Sequence, residues 1–194
     1  MADFVVPIAY KINQHSHNLW SYKADPPVVQ AQVSLSALLR VFLRTHYQCL
    51  RAAAGGRFTT WALVPSTKGR RGAHPIESLW NGGGLSRVPA TVNPRHDPSS
   101  RDFHADWFRV DSPLSGHRTL IIDDTWTTGS RAQSLAYAIK QAGAASVVTV
   151  VLGRHLNPET RNNEDIINRL RAQRQFRIER CVLDETSSGP SRSP

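Results

Sequence analysis

TLIIDDTWTTGSRAQ, at residues 119–133, runs from an apolar segment into two adjacent acids, then hydroxyl residues and a glycine, before it becomes amphipathic. The apolar run has the length of a strand and predicts a buried β-strand that ends at Asp123 and Asp124. Gly129 and the apolar spacing that follows it predict a tight turn and a helix. Because adjacent carboxylates repel each other, a structural role alone explains them poorly, and we expect a ligand there.

Strand and helix patterns alternate on both sides of this stretch. Strands are predicted at 58–65, 103–110, 117–124, 146–154 and 176–184, and helices at 34–54, 75–80, 129–144 and 158–174. Such alternation predicts an α/β fold with a mainly parallel, twisted sheet flanked by helices. Ligands of such sheets bind at the carboxyl ends of the strands, which is where the two acids are expected.

The chain of 194 residues suits a single domain. Residues 34–184 are predicted to form the α/β domain, preceded by an N-terminal segment at 1–33. Residues 81–102 are rich in Gly, Pro, Asn and Ser without periodicity, which predicts a long flexible loop. The composition of residues 185–194 predicts a disordered tail.

Charge and composition limit the classes of protein. The formal net charge is +9, mostly from arginine, and this surplus attracts polyanions such as nucleic acid or the phosphates of a small ligand, although any one arginine can be a solvated surface residue. No apolar stretch approaches the roughly 18 to 20 residues of a membrane span, and no signal-peptide pattern is present. Cys49 and Cys181 lack the spacing of a disulfide framework or a zinc site. We therefore expect a soluble, cytoplasmic protein with no membrane partner.

The turn at residues 125–130 has the composition of a phosphate site. Its backbone N–H groups, its hydroxyl side chains and the dipole of the following helix suit a phosphate monoester. The carboxylates of Asp123 and Asp124 repel phosphate but can accept hydrogen bonds from sugar hydroxyls, so a ribose 5-phosphate satisfies both halves of the stretch. The structural alternative is that Asp124 or Thr125 caps the helix while Asp123 pairs with an arginine.

LIIDDTWTTGS, at residues 120–130, resembles the phosphoribosyl diphosphate motif of type I phosphoribosyltransferases: a hydrophobic run, two acids, an aliphatic residue, any residue, then Thr-Thr-Gly. Thr125 departs from the motif, which usually has Val or Ile there. The resemblance implies a single-domain fold of that type, with Asp123 and Asp124 as catalytic residues that hold the ribose hydroxyls. It implies 5-phosphate binding by Thr125, Trp126, Thr127, Thr128, Gly129 and Ser130.

A second segment, LVPSTKGRRGAHPIESL at 63–79, is similar to the loop that contacts the diphosphate in this superfamily. The implied diphosphate-binding residues are Ser66, Thr67, Lys68, Gly69, Arg70 and Arg71. Their cations and hydroxyls suit a diphosphate leaving group, although a solvated basic turn has the same composition. The Arg-Arg-Gly here and WSYK at 20–23 resemble the ComF-like branch, but this chain lacks the cysteine-rich opening common there. The chain is therefore identified as a ComF-like or orphan phosphoribosyltransferase.

The resemblance implies transfer of phosphoribosyl from phosphoribosyl diphosphate to an unidentified base or amine. Mg²⁺ is the implied cofactor, held mainly through ligand and water oxygens, so no protein metal ligand is expected. The loop at 81–102 is a candidate lid in which Arg95 and Arg101 are candidates for phosphate contact. Residues 1–33 and the segment after Arg154 are candidate hoods over the acceptor.

Two other classes stay open. One is a non-catalytic regulator that binds phosphoribosyl diphosphate or a nucleotide. The other is a ComF-like protein associated with DNA uptake, which is less favoured because no RNP-like pattern, zinc finger or helix-turn-helix accompanies the basic charge. A homodimer is compatible with the sequence, but nothing in it marks an interface.

Overall fold

The computed structural model describes residues 1–10, 13–66, 72–97, 99–157 and 163–172, together with residues 179 and 183. The strands are β1 (Phe4–Pro7), β2 (Thr60–Leu63), β3 (Ser86–Arg87), β4 (Thr91–Val92), β5 (Phe108–Arg109), β6 (Arg118–Trp126) and β7 (Ser146–Arg154). The α-helices are α1 (Asn13–Ser21), α2 (Val29–Ala53), α3 (Ser130–Gln141) and α4 (Asn163–Ala172), and a 3₁₀ helix spans Pro75–Ser78.

Within these residues, five strands form one sheet in the order β1-β7-β6-β2-β3, and every neighbouring pair is parallel. β4 and β5 pair as a separate antiparallel ribbon. The prediction of an α/β fold with a mainly parallel sheet flanked by helices is confirmed.

The core divides between the two faces of the sheet because successive side chains of a strand point to opposite sides. Leu120 and Ile122 of β6 pack with α2 on one face, whereas Ile121 packs with α3 on the other. The buried residues of α2 recur every three or four positions: Ala31, Leu35, Leu39, Phe42, His46 and Leu50. This spacing is why the segment forms a helix with one face on the sheet.

The bounds of β6, α3 and β7 agree closely with those predicted from the sequence. β7 has the bounds predicted from its β-branched run, and it lies between two neighbouring strands, so it is buried almost throughout. Gly143, at φ 102°, follows the end of α3 in a conformation that favours glycine. These predictions are confirmed to within a few residues.

Several element boundaries differ from the predictions. α2 begins at Val29 rather than at residue 34, because Ser34 does not cap it but donates its hydroxyl to the carbonyl of Gln30 within the helix. The strand predicted at 103–110 is reduced to β5, because the backbone N–H of His104 bonds to the Ser134 hydroxyl of α3 instead of a strand partner. The strand predicted at 176–184 and the tail at 185–194 lie outside the described residues, except for residues 179 and 183.

Three further strands have no counterpart among the predictions. β1, in the segment at 1–33, forms one edge of the sheet beside β7. β3 and β4 lie in the segment at 81–102, and β3 forms the other edge beside β2. Whether residues 1–33 also form a hood stays a prediction.

None of the described helices combines the length and the apolar composition that crossing a bilayer requires.

Candidate functional site

A cleft of about 1020 Å³ opens at the carboxyl ends of β2 and β6. The two strands are neighbours, with Leu63 opposite Ile122, so the residues that follow each strand meet in space. Residues 64–66 form one wall and the turn after β6 forms another, while residues near 20–24 and 99–101 complete the rim. This is the edge at which parallel sheets bind ligands.

Asp123 and Asp124 line the cleft. The backbone N–H of Asp124 donates to Oδ1 of Asp123 at 2.9 Å. Oδ2 of Asp124 accepts from the Tyr22 hydroxyl at 2.7 Å and from Nζ of Lys23 at 2.6 Å. The segment after α1 therefore holds one carboxylate in place across more than a hundred residues of sequence.

The two carboxyl groups ionise very differently. Burial and the neighbouring charge of Asp124 raise the pKa of Asp123 to about 7. Burial also acts to raise the pKa of Asp124, but Lys23 and Tyr22 outweigh it and the pKa lies below the ordinary value. Near neutral pH Asp123 is therefore partly protonated and the pair carries less than its full charge, which reduces its repulsion of an anion.

The turn between β6 and α3 depends on Gly129, which has φ 76°. The ring of Trp126 packs so closely on this glycine that an added Cβ would collide with it. Both the left-handed backbone and the ring contact therefore require glycine. The turn leads into the first turn of α3, where backbone N–H groups lack helical acceptors.

The hydroxyl groups of the turn lie close together. Oγ1 of Thr128 is 3.0 Å from Oγ of Ser130 and donates to the carbonyl of Arg101 at 3.1 Å. Thr125, Thr127 and Gly129 line the cleft with them. The arrangement offers hydroxyl and amide donors to an anion within reach of the acidic pair.

The structure brings most of the described candidates to one place but not all of them. The candidates that line the cleft are Ser66, Arg101, Asp123, Asp124, Thr125, Thr127, Thr128, Gly129 and Ser130. The side chain of Trp126 instead contacts Gly129 and borders a smaller cavity beside Val5 and Val151, so only its backbone stays a candidate for phosphate binding. Arg95 is exposed and is not among the described residues lining the cleft. Thr67, Lys68, Gly69, Arg70 and Arg71 lie outside the described residues.

His74 is the histidine that lines the cleft among the described residues. Burial lowers its pKa, so the ring is neutral at physiological pH. Its Nδ1 accepts from the N–H of Ile76 at 3.2 Å, which leaves the proton on Nε2, and the ring also bonds to the backbone of Val64. We infer that His74 has a structural role in the wall of the cleft, since both of its ring nitrogens take part in hydrogen bonds.

Sequence reasoning missed four residues of the site: Trp20, Tyr22, Lys23 and Arg131. Trp20 is 69% exposed at the rim of the cleft. The first three belong to WSYK, a stretch noted in the sequence without a role in binding. Arg131 directly follows the predicted phosphate turn, and its position in the first turn of α3 is the signal that could have marked it.

The donor set of the cleft suits Mg²⁺ only in part. Among the described residues, no three His, Cys, Asp or Glu side chains are grouped as a metal site would require. The acidic pair supplies carboxylate oxygens, which Mg²⁺ prefers, but Lys23 already contacts Oδ2 of Asp124. These residues therefore fit an ion that arrives with a phosphorylated ligand and retains water.

Comparison with known proteins places no limit on the function of this cleft: no protein-family model matches the chain, and no curated protein is significantly similar to it.

Proposed function

We propose that this chain is a phosphoribosyltransferase that takes phosphoribosyl diphosphate with Mg²⁺ and transfers its phosphoribosyl group to a nitrogenous acceptor, releasing diphosphate. The observation that carries the proposal is that Asp123 and Asp124 share one cleft with the glycine turn that begins α3. The fold of type I phosphoribosyltransferases is part of the proposal, and the α/β topology and the resemblance of residues 120–130 support it.

The acidic pair would hold the ribose. Asp124 is ionised and accepts hydrogen bonds, whereas Asp123, with its pKa near 7, can also donate one while it is protonated. Lys23 and Tyr22 fix the Asp124 carboxylate before the sugar arrives. Such prior positioning lowers the free energy of activation, because the reacting groups need less reorganisation.

The 5-phosphate would bind at the turn, where Thr127 and Ser130 add hydroxyl donors to the amides. Anchoring both the hydroxyls and the phosphate fixes the anomeric carbon between the acidic pair and residues 64–66. The bond from that carbon to the diphosphate then breaks as the acceptor nitrogen forms a new one. Bound Mg²⁺ would neutralise part of the diphosphate charge.

The direct test is diphosphate release from phosphoribosyl diphosphate in the presence of Mg²⁺ and a panel of purines, pyrimidines and simple amines. We expect at least one acceptor to give release that follows enzyme concentration. The matched control is the Asp111→Asn variant, which alters an exposed carboxylate outside the cleft. Absence of release across the panel, with no binding of phosphoribosyl diphosphate by calorimetry, would refute the proposal.

One observation favours a second candidate, a regulator that binds the ligand without turnover. Lys23 and Tyr22 already contact Oδ2 of Asp124, so a ribose hydroxyl must share or displace them. Calorimetric binding of phosphoribosyl diphosphate without diphosphate release for any acceptor would identify this regulator.

A further inference from the structure

Two arginines line the cleft beside the phosphate turn and come from different parts of the chain. Arg101 lies in the segment before β5, and Arg131 is the second residue of α3. Burial lowers the pKa of Arg131, the charge of Arg101 adds to this effect and Asp123 opposes it, so the two arginines lie within electrostatic reach of each other. Two guanidinium groups that repel each other in a cleft are stabilised when an anion binds between them.

Each arginine makes a further contact that restrains its position, Arg131 through its side chain and Arg101 through its backbone. Cζ of Arg131 lies 5.4 Å from the ring centroid of Trp107, a side chain with no exposed surface. The carbonyl of Arg101 accepts from Oγ1 of Thr128, which belongs to the phosphate turn. A cation over a buried aromatic face loses less freedom on binding, because the ring restricts where it can lie.

We propose that Arg101 and Arg131 form an arginine clamp on the phosphate bound at the turn and make the cleft selective for a doubly charged phosphate ester over a singly charged one. The proposal rests on the proposed function for the location of the phosphate. It adds a specificity that the amides and hydroxyls of the turn do not supply, since neutral donors discriminate weakly between one charge and two.

The expected selectivity follows from the number of charges. A phosphate dianion at neutral pH neutralises both guanidinium groups, whereas a sulfate ester of the same shape carries a single charge and leaves net repulsion between the arginines. Each hydrogen bond to a charged partner contributes about 1.5 to 3 kcal/mol. The loss of one such bond corresponds to roughly 10- to 100-fold in affinity.

The test compares binding of ribose 5-phosphate and ribose 5-sulfate by calorimetry at pH 7.5. Because both ligands carry the same sugar, the hydrogen bonds of the acidic pair to the sugar cancel in the ratio of their affinities. We expect the wild-type protein to prefer the phosphate by about 10-fold or more, and Arg131→Gln and Arg101→Gln to reduce the preference to within about threefold. Arg131→Lys should retain part of the preference, because it keeps the charge but not the forked geometry.

The control is Arg109→Gln. It removes an exposed arginine of β5 that pairs with Asp111, and it should leave the ratio of the two affinities unchanged. If Arg131 has only a structural role, its replacement will weaken the binding of both ligands equally and leave the ratio of their affinities unchanged. That result would overturn the clamp while leaving the proposed function intact. Failure of the wild-type protein to bind either ligand would overturn the clamp, whereas the proposed function fails only if diphosphate release and binding of phosphoribosyl diphosphate are absent as well.

Discussion

The Asp123→Asn variant is expected to have a higher free energy of unfolding than the wild-type protein at pH 8, although it removes a proposed ligand-binding group. The pKa of Asp123 is raised from 3.8 to about 7 in the folded protein. Between these values the unfolded chain releases a proton that the folded chain retains, so wild-type stability falls as the pH rises, and the full loss is present above pH 7. Asn has no such proton and can still accept the Asp124 N–H bond at Oδ1.

The size of the effect follows from the difference between the two pKa values at 1.36 kcal/mol per unit, which sets an upper bound of roughly 4 kcal/mol. Coupling to Asp124 and partial access to solvent reduce the expected gain to about 2 kcal/mol. Urea unfolding of both proteins from pH 4 to pH 8 measures this gain in the free energy of unfolding. The two stabilities should nearly coincide at the acidic end and separate as the pH rises; parallel pH profiles would show that Asp123 ionises normally.

The Asp124→Asn variant should lose stability instead. The pKa of Asp124 lies below its ordinary value because the contacts of Lys23 and Tyr22 outweigh burial, which alone would raise it. This carboxylate therefore contributes stability above the ordinary pKa of Asp, and the contribution is lost as the pH falls through the lowered pKa. Because the Lys23 side chain is 33% exposed, the loss at pH 7 should be about 1 to 2 kcal/mol rather than the larger value of a fully buried pair.

Both variants should reduce diphosphate release by at least about 100-fold, because each removes a proposed charged or donating partner of the ribose. Opposite effects on stability with the same effect on turnover would separate a direct role in binding from a general loss of folding. Asp111→Asn, at an exposed ion pair, should change stability by less than about 0.5 kcal/mol. Turnover near the wild-type level in either site variant would contradict the assignment of the acidic pair.

The strand, turn and helix around Asp123 were predictable because local signals agree with the tertiary environment. The apolar run of β6 is buried on both faces of the sheet, and Gly129 occupies a position where only glycine fits without strain. β7 was predictable for the same reason, since an interior parallel strand needs an unbroken apolar run.

The remaining features depend on partners that are distant in the sequence. β1 and β3 are short, and each becomes a strand because a longer strand beside it supplies hydrogen-bond partners. The contact between Lys23 and Asp124 spans 101 residues, and the raised pKa of Asp123 depends on burial that no local pattern reveals. The position of Trp126 likewise reflects its packing on Gly129 rather than its place in the motif.

A crystal structure of the protein grown with ribose 5-phosphate tests the central claim most directly. We predict phosphate oxygens within roughly 3 Å of the backbone N–H groups of the turn at residues 127–130, and sugar hydroxyls at the same distance from the Asp123 and Asp124 carboxyl groups. A phosphate bound elsewhere, or a cleft that stays empty at saturating ligand, would contradict the account.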